Sequence, residues 1–215
     1  MTMQDIHAHI LPGVDHGAQD LPSAIAMLNA AKAQGIRSIT ATPHVYRTDF
    51  DRSIALQAKE LLLPYAQQRG IELKLGYEFN IRALDQSAME RAAQFCIEGT
   101  KTLLLEMPFA IWPVDWREKI YALQVHGMEI VLAHPERYEP VQKDLRLLEQ
   151  MAELDVQFQV DVPQCLKPFT VQRKVLKRLC EMNCLHFAAS DAHTADDYAA
   201  FAQSIRRLGD RLNAP

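Results

Sequence analysis

The sequence predicts an α/β fold in which parallel strands alternate with covering helices and close, or nearly close, into a seven-unit barrel. Three observations predict it. Short β-rich or apolar runs recur at intervals of about 30 residues, the length of successive βα units. Helix-like stretches fill the intervals between them. Residue types that bind metals stand at the C-terminal ends of the runs, the rim on which parallel barrels build their sites.

Strands are expected near 3–9, 37–43, 72–77, 101–106, 129–134, 156–161 and 186–190. After the first, Leu21, Ile25 and Leu28 share a helical face that ends before Gly35. The stretch 51–69 also reads as helix, but Pro64 lies inside it, and a ring without an N–H is expected to kink or split the helix there. Trp116, Ile120 and Leu123 repeat the helical spacing before Gly127, and Tyr198, Phe201, Ile205 and Leu208 do so near the C-terminus.

His7 and His9 close the first expected strand, His44 the second, Glu78 the third, Glu106 the fourth and His134 the fifth, while Asp191 and His193 close the seventh. Residues two apart on a strand point to one side, so His7 and His9 face together, as do Asp191 and His193 where the strand geometry continues. Each pair can chelate an ion. Gly76 beneath Glu78 and Leu132 beneath His134 are small or apolar, as an interior requires. His126, beside Gly127, and His186, in the last strand, read as structural residues at a helix end and in a strand.

The chain has 215 residues, 48% of them apolar, which suits one domain spanning 1–215, and no linker or compositional shift divides it. A net charge of -4 argues against a nucleic-acid partner, because a phosphate backbone demands a basic footprint. No apolar run approaches the ~20 residues of a membrane span. The N-terminus MTMQDIHAHI lacks a signal peptide's basic and apolar segments, so a cytoplasmic location without membrane insertion is expected. Cys96, Cys165, Cys180 and Cys184 form no C-x-x-C pair and read as reduced packing thiols. None is followed six positions later by arginine, so the C-x5-R loop of thiolate phosphatases is absent.

The motifs D-I-H-A-H-I-L-P-G-V-D-H-G-A (5–18), A-T-P-H (41–44), G-Y-E (76–78), L-L-E-M (104–107), A-H-P-E-R (133–137) and S-D-A-H (190–193) run in order along the chain. In them the chain resembles the polymerase-and-histidinol-phosphatase (PHP) superfamily, and within it the capsular-polysaccharide protein-tyrosine phosphatases of bacteria. The resemblance covers about residues 3–193. It implies a distorted (β/α)7 barrel with three metal sites, acting on the phosphotyrosine tail of a bacterial tyrosine autokinase in capsule or exopolysaccharide synthesis. By the same resemblance, His7, His9, Glu78 and Asp191 hold the first ion, and Glu78, bridging onward, holds the second with Glu106 and His134. His44, His193 and the residue at position 16 hold the third. Capsule-type relatives usually read D-D-G where this chain reads Asp15-His16-Gly17, so His16 becomes a neutral ligand there or the third site is weakened. Only 22 residues follow His193, fewer than is usual in relatives, which leaves peripheral substrate contacts and oligomeric state open.

Six neutral imidazoles and three carboxylates around three divalent ions leave a charge of about +3, suited to a phosphate dianion. Such ions would acidify bound water, and in-line attack of that hydroxide on phosphorus, with no phosphoenzyme, is the expected chemistry. Two to three divalent ions are expected, manganese first, with iron, zinc, cobalt and magnesium as the other candidates. Arg137 is placed either to pair with phosphate or to form an ion pair with Glu136 or Glu139. Arg47, after T-P-H, is a second phosphate candidate, and Asp5 shares strand parity with His7 and His9 and could orient an imidazole. Tyr46, Tyr77, Phe109, Trp112 and Tyr138 are candidates to receive a phenyl ring or to pack the loops. Two other readings stand beside the tyrosine phosphatase: a phosphatase of small phosphomonoesters such as histidinol phosphate or a nucleotide, and a catalytically weakened metal-binding interaction module.

Overall fold

A computed structural model of the chain describes residues 3–47, 49–84 and 89–212. In chain order the elements are β1 (Met3–Ala8), α1 (Leu21–Ala33), β2 (Ile36–Ala41), β3 (His44–Val45), α2 (Arg52–Gln68), β4 (Glu72–Leu75), β5 (Glu78–Asn80), α3 (Met89–Ala92) and β6 (Thr102–Glu106). They continue with α4 (Trp116–Val125), β7 (Glu129–Ala133), α5 (Glu139–Lys143), α6 (Arg146–Ala152), β8 (Gln157–Asp161), α7 (Val162–Cys165), α8 (Val171–Glu181), β9 (Phe187–Ala189) and α9 (Ala195–Leu212). The ladders β1–β2, β2–β4, β3–β5, β5–β6, β6–β7 and β7–β8 are all parallel, as the βα alternation predicts. Among the described residues no helix is long and apolar enough to cross a membrane.

The chain forms two compact units, each assembled from separated segments. The first takes the described residues of Met1–Pro43, Asp51–Leu75 and Ala188–Pro215. Its sheet has the order β1-β2-β4, and helices α1, α2 and α9 belong to it. Asp20 caps α1 by accepting from Ser23 N at 2.8 Å, and Gly35, at φ +84°, lets the chain turn off the helix. The buried face of α1 is Ala24, Met27, Leu28 and Ala31. It is rotated from the expected face, because Leu21 and Ile25 are only half-buried. Tyr198 and Phe201 of α9 are fully buried, as expected. Helix α2 runs from Arg52 to Gln68 with Pro64 inside it, so the stretch is not split there. Pro64 and Glu60 are both exposed, so water can serve the Glu60 carbonyl that loses its N–H partner. Beyond β9 the chain pairs with β1: Asp191 N donates to His7 O at 3.0 Å and His9 N to Ala192 O at 2.8 Å.

The second unit takes the described residues of His44–Phe50 and Gly76–Phe187. Its strands follow the order β3-β5-β6-β7-β8, with Phe187 opening β9. Leu103, Leu104 and Leu105 of β6, Ile130, Val131 and Leu132 of β7, and Phe158 and Val160 of β8 are buried, the continuous apolar run of strands covered on both faces. His126 caps α4, its Nδ1 donating to Ala122 O at 2.8 Å, and His186 Nδ1 accepts from Phe158 N at 3.1 Å. His126 thus stands at a helix end as expected, whereas His186 lies just before β9 rather than in it.

Two expected strands are interrupted. The second stops at Ala41, and His44 opens the separate strand β3. Pro43 has no N–H to continue a ladder, and Thr42 takes over, its N donating to Ala8 O at 2.9 Å and its Oγ1 accepting from Ala8 N at 3.1 Å. The third breaks at Gly76–Tyr77 into β4, which pairs with β2, and β5, which pairs with β3 and β6. Glu78 therefore begins a strand rather than ending one.

Candidate metal sites

In the first unit, β1 and the segment after β9 present three ligand atoms to one point. His7 Nε2 and His9 Nε2 lie 3.3 Å apart, and Asp191 Oδ1 lies 3.3 Å from the former and 3.2 Å from the latter. All three residues are at least 94% buried. Ligand atoms on one ion with bonds of about 2.1 Å stand about 3.0–3.5 Å from one another. The fit follows from the chemistry as well, since a divalent ion satisfies at once two ring nitrogens and a carboxylate converging in a buried site. Asp191 holds this position at φ +48°, a left-handed backbone conformation that costs a non-glycine residue about 1–3 kcal/mol.

The loop after β1 orients His9. Asp15 Oδ2 lies 2.6 Å from His9 Nδ1 and its Oδ1 accepts from Gly17 N at 2.9 Å. With a proton on Nδ1, the lone pair of His9 sits on Nε2, toward His7 and Asp191. Gly17 is required here: a Cβ would fall 2.0 Å from His9 O. His16 is exposed, its ring 4.4 Å from that of His193 and 5.7 Å from that of His9. His193 Nδ1 donates to Asp191 O at 2.8 Å, leaving Nε2 as the lone-pair nitrogen, and that buried atom has no hydrogen-bond partner among the described residues. Burial first, and then His9, hold the His193 imidazole below its ordinary pKa.

Asp5 does not orient an imidazole. Its carboxylate accepts from Ser190 N at 3.0 Å and Ser190 Oγ at 2.6 Å, and more distantly from the backbone N of His7. Burial raises its pKa to about 6. Asp5 thus anchors the residue next to Asp191, with Ser190 Oγ accepting in turn from Ala192 N at 2.9 Å.

In the second unit, Glu78 spans two histidines: Oε2 lies 2.9 Å from His44 Nδ1 and Oε1 lies 2.6 Å from His134 Nε2. His44, Glu78 and Glu106 bring one ligand atom each within 4.8 Å of one another. Asn80 Nδ2 donates to Glu106 Oε2 at 2.8 Å and so aims that carboxylate. Burial, and then the nearby Glu78, push the Glu106 pKa up, against the opposing pull of Asn80, His134 and His44. His134 follows β7 at φ +30°, a second left-handed ligand position. Tyr138 fixes the ends of β6 and β7, donating to Ala133 O at 2.8 Å and accepting from Met107 N at 3.0 Å.

Arg137 pairs with neither Glu136 nor Glu139. Its guanidinium donates to Asp161 Oδ2 at 2.8 Å, and Asp161 N donates to Glu136 Oε1 at 2.9 Å. Arg47 is taken up at the surface by Asp49, through bonds of 2.9 and 2.7 Å. Of the five candidate aromatics, Tyr77 and Tyr138 are buried packing residues and Trp112 is half-buried, while Tyr46 and Phe109 are exposed. Asp15, Asn80, Ser190 and Asp161 were not legible as site residues, although the D-H-G and S-D-A-H motifs contain two of them.

Residues 3–208 match the family model described as capsular polysaccharide synthesis, CpsB/CapC. The tyrosine-protein phosphatase YwqE of Bacillus subtilis is 35% identical over 198 residues, covering 89% of this chain and 77% of that protein. The tyrosine-protein phosphatase CpsB of Streptococcus pneumoniae is 23% identical over 213 residues, covering 94% and 87%. A solved structure, described as YwqE from Bacillus subtilis and CpsB from Streptococcus pneumoniae, unique metal-dependent tyrosine phosphatases, superposes with a TM-score of 0.82 at 29% identity. That superposition takes in 99% of this chain and 88% of the other, and it bears out the α/β fold class expected from the sequence. The chain belongs to the CpsB/CapC family of capsular polysaccharide synthesis proteins.

Proposed function

We propose that this protein is a metal-dependent protein-tyrosine phosphatase that removes phosphate from the tail of a bacterial tyrosine autokinase in capsule or exopolysaccharide synthesis. The observation that carries the reading is the convergence of His7, His9 and Asp191 on one point, in a chain of this family. Those three residues would hold one divalent ion, and His44, Glu78, Glu106 and His134 would hold a second. His193 and His16 offer further ring nitrogens beside the first set. The donors are nitrogen and oxygen without sulfur, which suits manganese, iron, zinc, cobalt or magnesium; manganese is our first choice.

When bound, such ions supply an acidified water and positive charge for phosphate oxygens. The protein's own part is orientation. Asp15 fixes the His9 tautomer, Ser190 and Asp5 hold the backbone beside Asp191, and Asn80 aims Glu106. Asp161 holds the guanidinium of Arg137, which would pair with phosphate. Phenolate leaves readily, which lightens the demand for a general acid. The four cysteines carry no disulfide, in keeping with work in the cytoplasm.

Side-by-side kinetics test the reading. Phosphotyrosine peptides should be hydrolysed well above phosphoserine peptides. Histidinol phosphate or a nucleotide giving a kcat/KM more than about tenfold above any phosphotyrosine peptide, roughly 1.4 kcal/mol in transition-state binding, would replace it with the small-molecule reading.

A further inference from the structure

Two exposed rings stand over the ligand set of the second unit, and each lies on one of its imidazoles. Tyr46, 57% exposed, stacks on His44 with ring centroids 5.0 Å apart and 20° between planes. Phe109, 47% exposed, stacks on His134 at 5.9 Å and 19°. Because Glu78 joins those same two imidazoles, the rings flank one carboxylate-bridged pair. A groove of about 420 Å³ is lined by Tyr46, Phe109, Asn80, Glu106, Arg82 and Ile111. That volume lies in the range of sites that take an organic side chain, about 300–1,000 Å³.

The groove's walls are held in place. Glu139 N donates to Phe109 O at 2.8 Å, and Arg82 Nη2 donates to Ile111 O at 3.2 Å, so the loop that carries Phe109 is fastened at Phe109 and again two residues later. Arg82 follows β5 in the turn Ile81–Ala83, where Asn80 Oδ1 accepts from its backbone N at 3.0 Å. Its side chain is exposed, and no carboxylate among the described residues pairs with it. A cation at the rim of an aromatic groove whose floor includes a candidate metal ligand is a combination that core packing does not call for.

We propose that this groove reads the substrate: Tyr46 and Phe109 hold the phenyl ring of phosphotyrosine between them, and Arg82 pairs with a carboxylate beside that tyrosine in the peptide. The inference rests on the tyrosine phosphatase reading and names its specificity. Paired aromatic rings attract one another beyond what area burial gives, an advantage that a phosphoserine side chain forgoes. Arg82 then favours acidic sequences over neutral ones through charge-assisted hydrogen bonds.

The test uses the metal-loaded full chain and three substrates: a phosphotyrosine peptide with acidic neighbours, the same peptide with those neighbours as amides, and a phosphoserine peptide. The double variant Tyr46→Ala with Phe109→Ala is expected to lose about tenfold or more in kcat/KM on both phosphotyrosine peptides, chiefly in KM, with metal content kept. Tyr46→Phe, which keeps the ring, should retain most of the activity. Arg82→Glu should raise KM for the acidic peptide about tenfold more than for the amide peptide. A double variant with unchanged KM, or one that loses its metal, would show that the rings only cover His44 and His134. An Arg82→Glu effect equal on both phosphotyrosine peptides would overturn the sequence preference. Absence of phosphotyrosine hydrolysis in the unaltered protein would remove the tyrosine phosphatase reading and the groove's role with it, an outcome separable from failure of the variants alone.

Discussion

Asp15 Oδ2 lies 2.6 Å from Nδ1 of His9, and this contact decides which ring nitrogen of His9 faces His7 and Asp191. Removing the acceptor frees the ring to adopt either tautomer. Asp15→Ala is expected to weaken metal binding by about 10–100-fold, the loss seen when a partner that orients a metal-bound histidine is removed. Titration of metal into the stripped protein checks it, and unchanged affinity would mean that Asp15 serves only the Gly17 turn.

His16 should behave as a ligand in spite of its exposure, because its ring lies 4.4 Å from that of His193. His16→Ala should lower bound metal by about one ion, and His16→Asp should restore it, since both imidazole and carboxylate ligate such ions. Equal metal content in the three proteins would exclude His16 as a ligand.

Arg137 should act on phosphate binding through the support of Asp161. Arg137→Ala is expected to lower kcat/KM by about 10²-fold, the scale of losing one donor to developing charge. Asp161→Ala should give a smaller loss in the same direction, mainly in KM, with metal content intact. A loss of metal in either variant would assign the pair to the metal sites instead.

Much of this geometry is legible in the sequence, though unevenly. Strand parity places His7 beside His9 because a two-residue period is a local property, and the Tyr198–Phe201 stripe survives for the same reason. Ladder partners are not local. The sequence does not reveal that Pro43 and Gly76 end strands whose neighbours change, so His44 and Glu78 lie in separate short strands instead of at the tips of long ones. The supporting contacts are harder still. Any of the 27 acidic residues could hold a ring or a guanidinium, and nothing in the local pattern singles out Asp161, 24 positions away, for Arg137. Asp5 shows the limit of parity: it shares a face with His7 and His9, yet Ser190 captures its carboxylate.

Glu136 gives a pH dependence whose sign is fixed by burial. Desolvation, and then the charge of Asp161, raise its pKa from 4.5 to about 8. The folded state holds this proton more tightly than the unfolded chain, so stability from this group is full below pH 4.5 and falls as pH rises toward 8. Glu136→Gln should flatten that part of the stability profile, because the amide oxygen can still accept from Asp161 N. Denaturant unfolding from pH 5 to 8 measures it, and parallel profiles for the two proteins would show that Glu136 is ionised in the fold.

The most direct measurement is reconstitution: strip the protein with a chelator, add back manganese in steps, and follow bound metal and phosphotyrosine-peptide hydrolysis together. The account predicts no hydrolysis in the stripped protein and activity that rises with bound ions. Glu78→Gln should stay folded yet lose activity by orders of magnitude, because Glu78 spans His44 and His134. Full activity in the stripped protein, or less than about one ion bound per chain at saturating manganese, would contradict it.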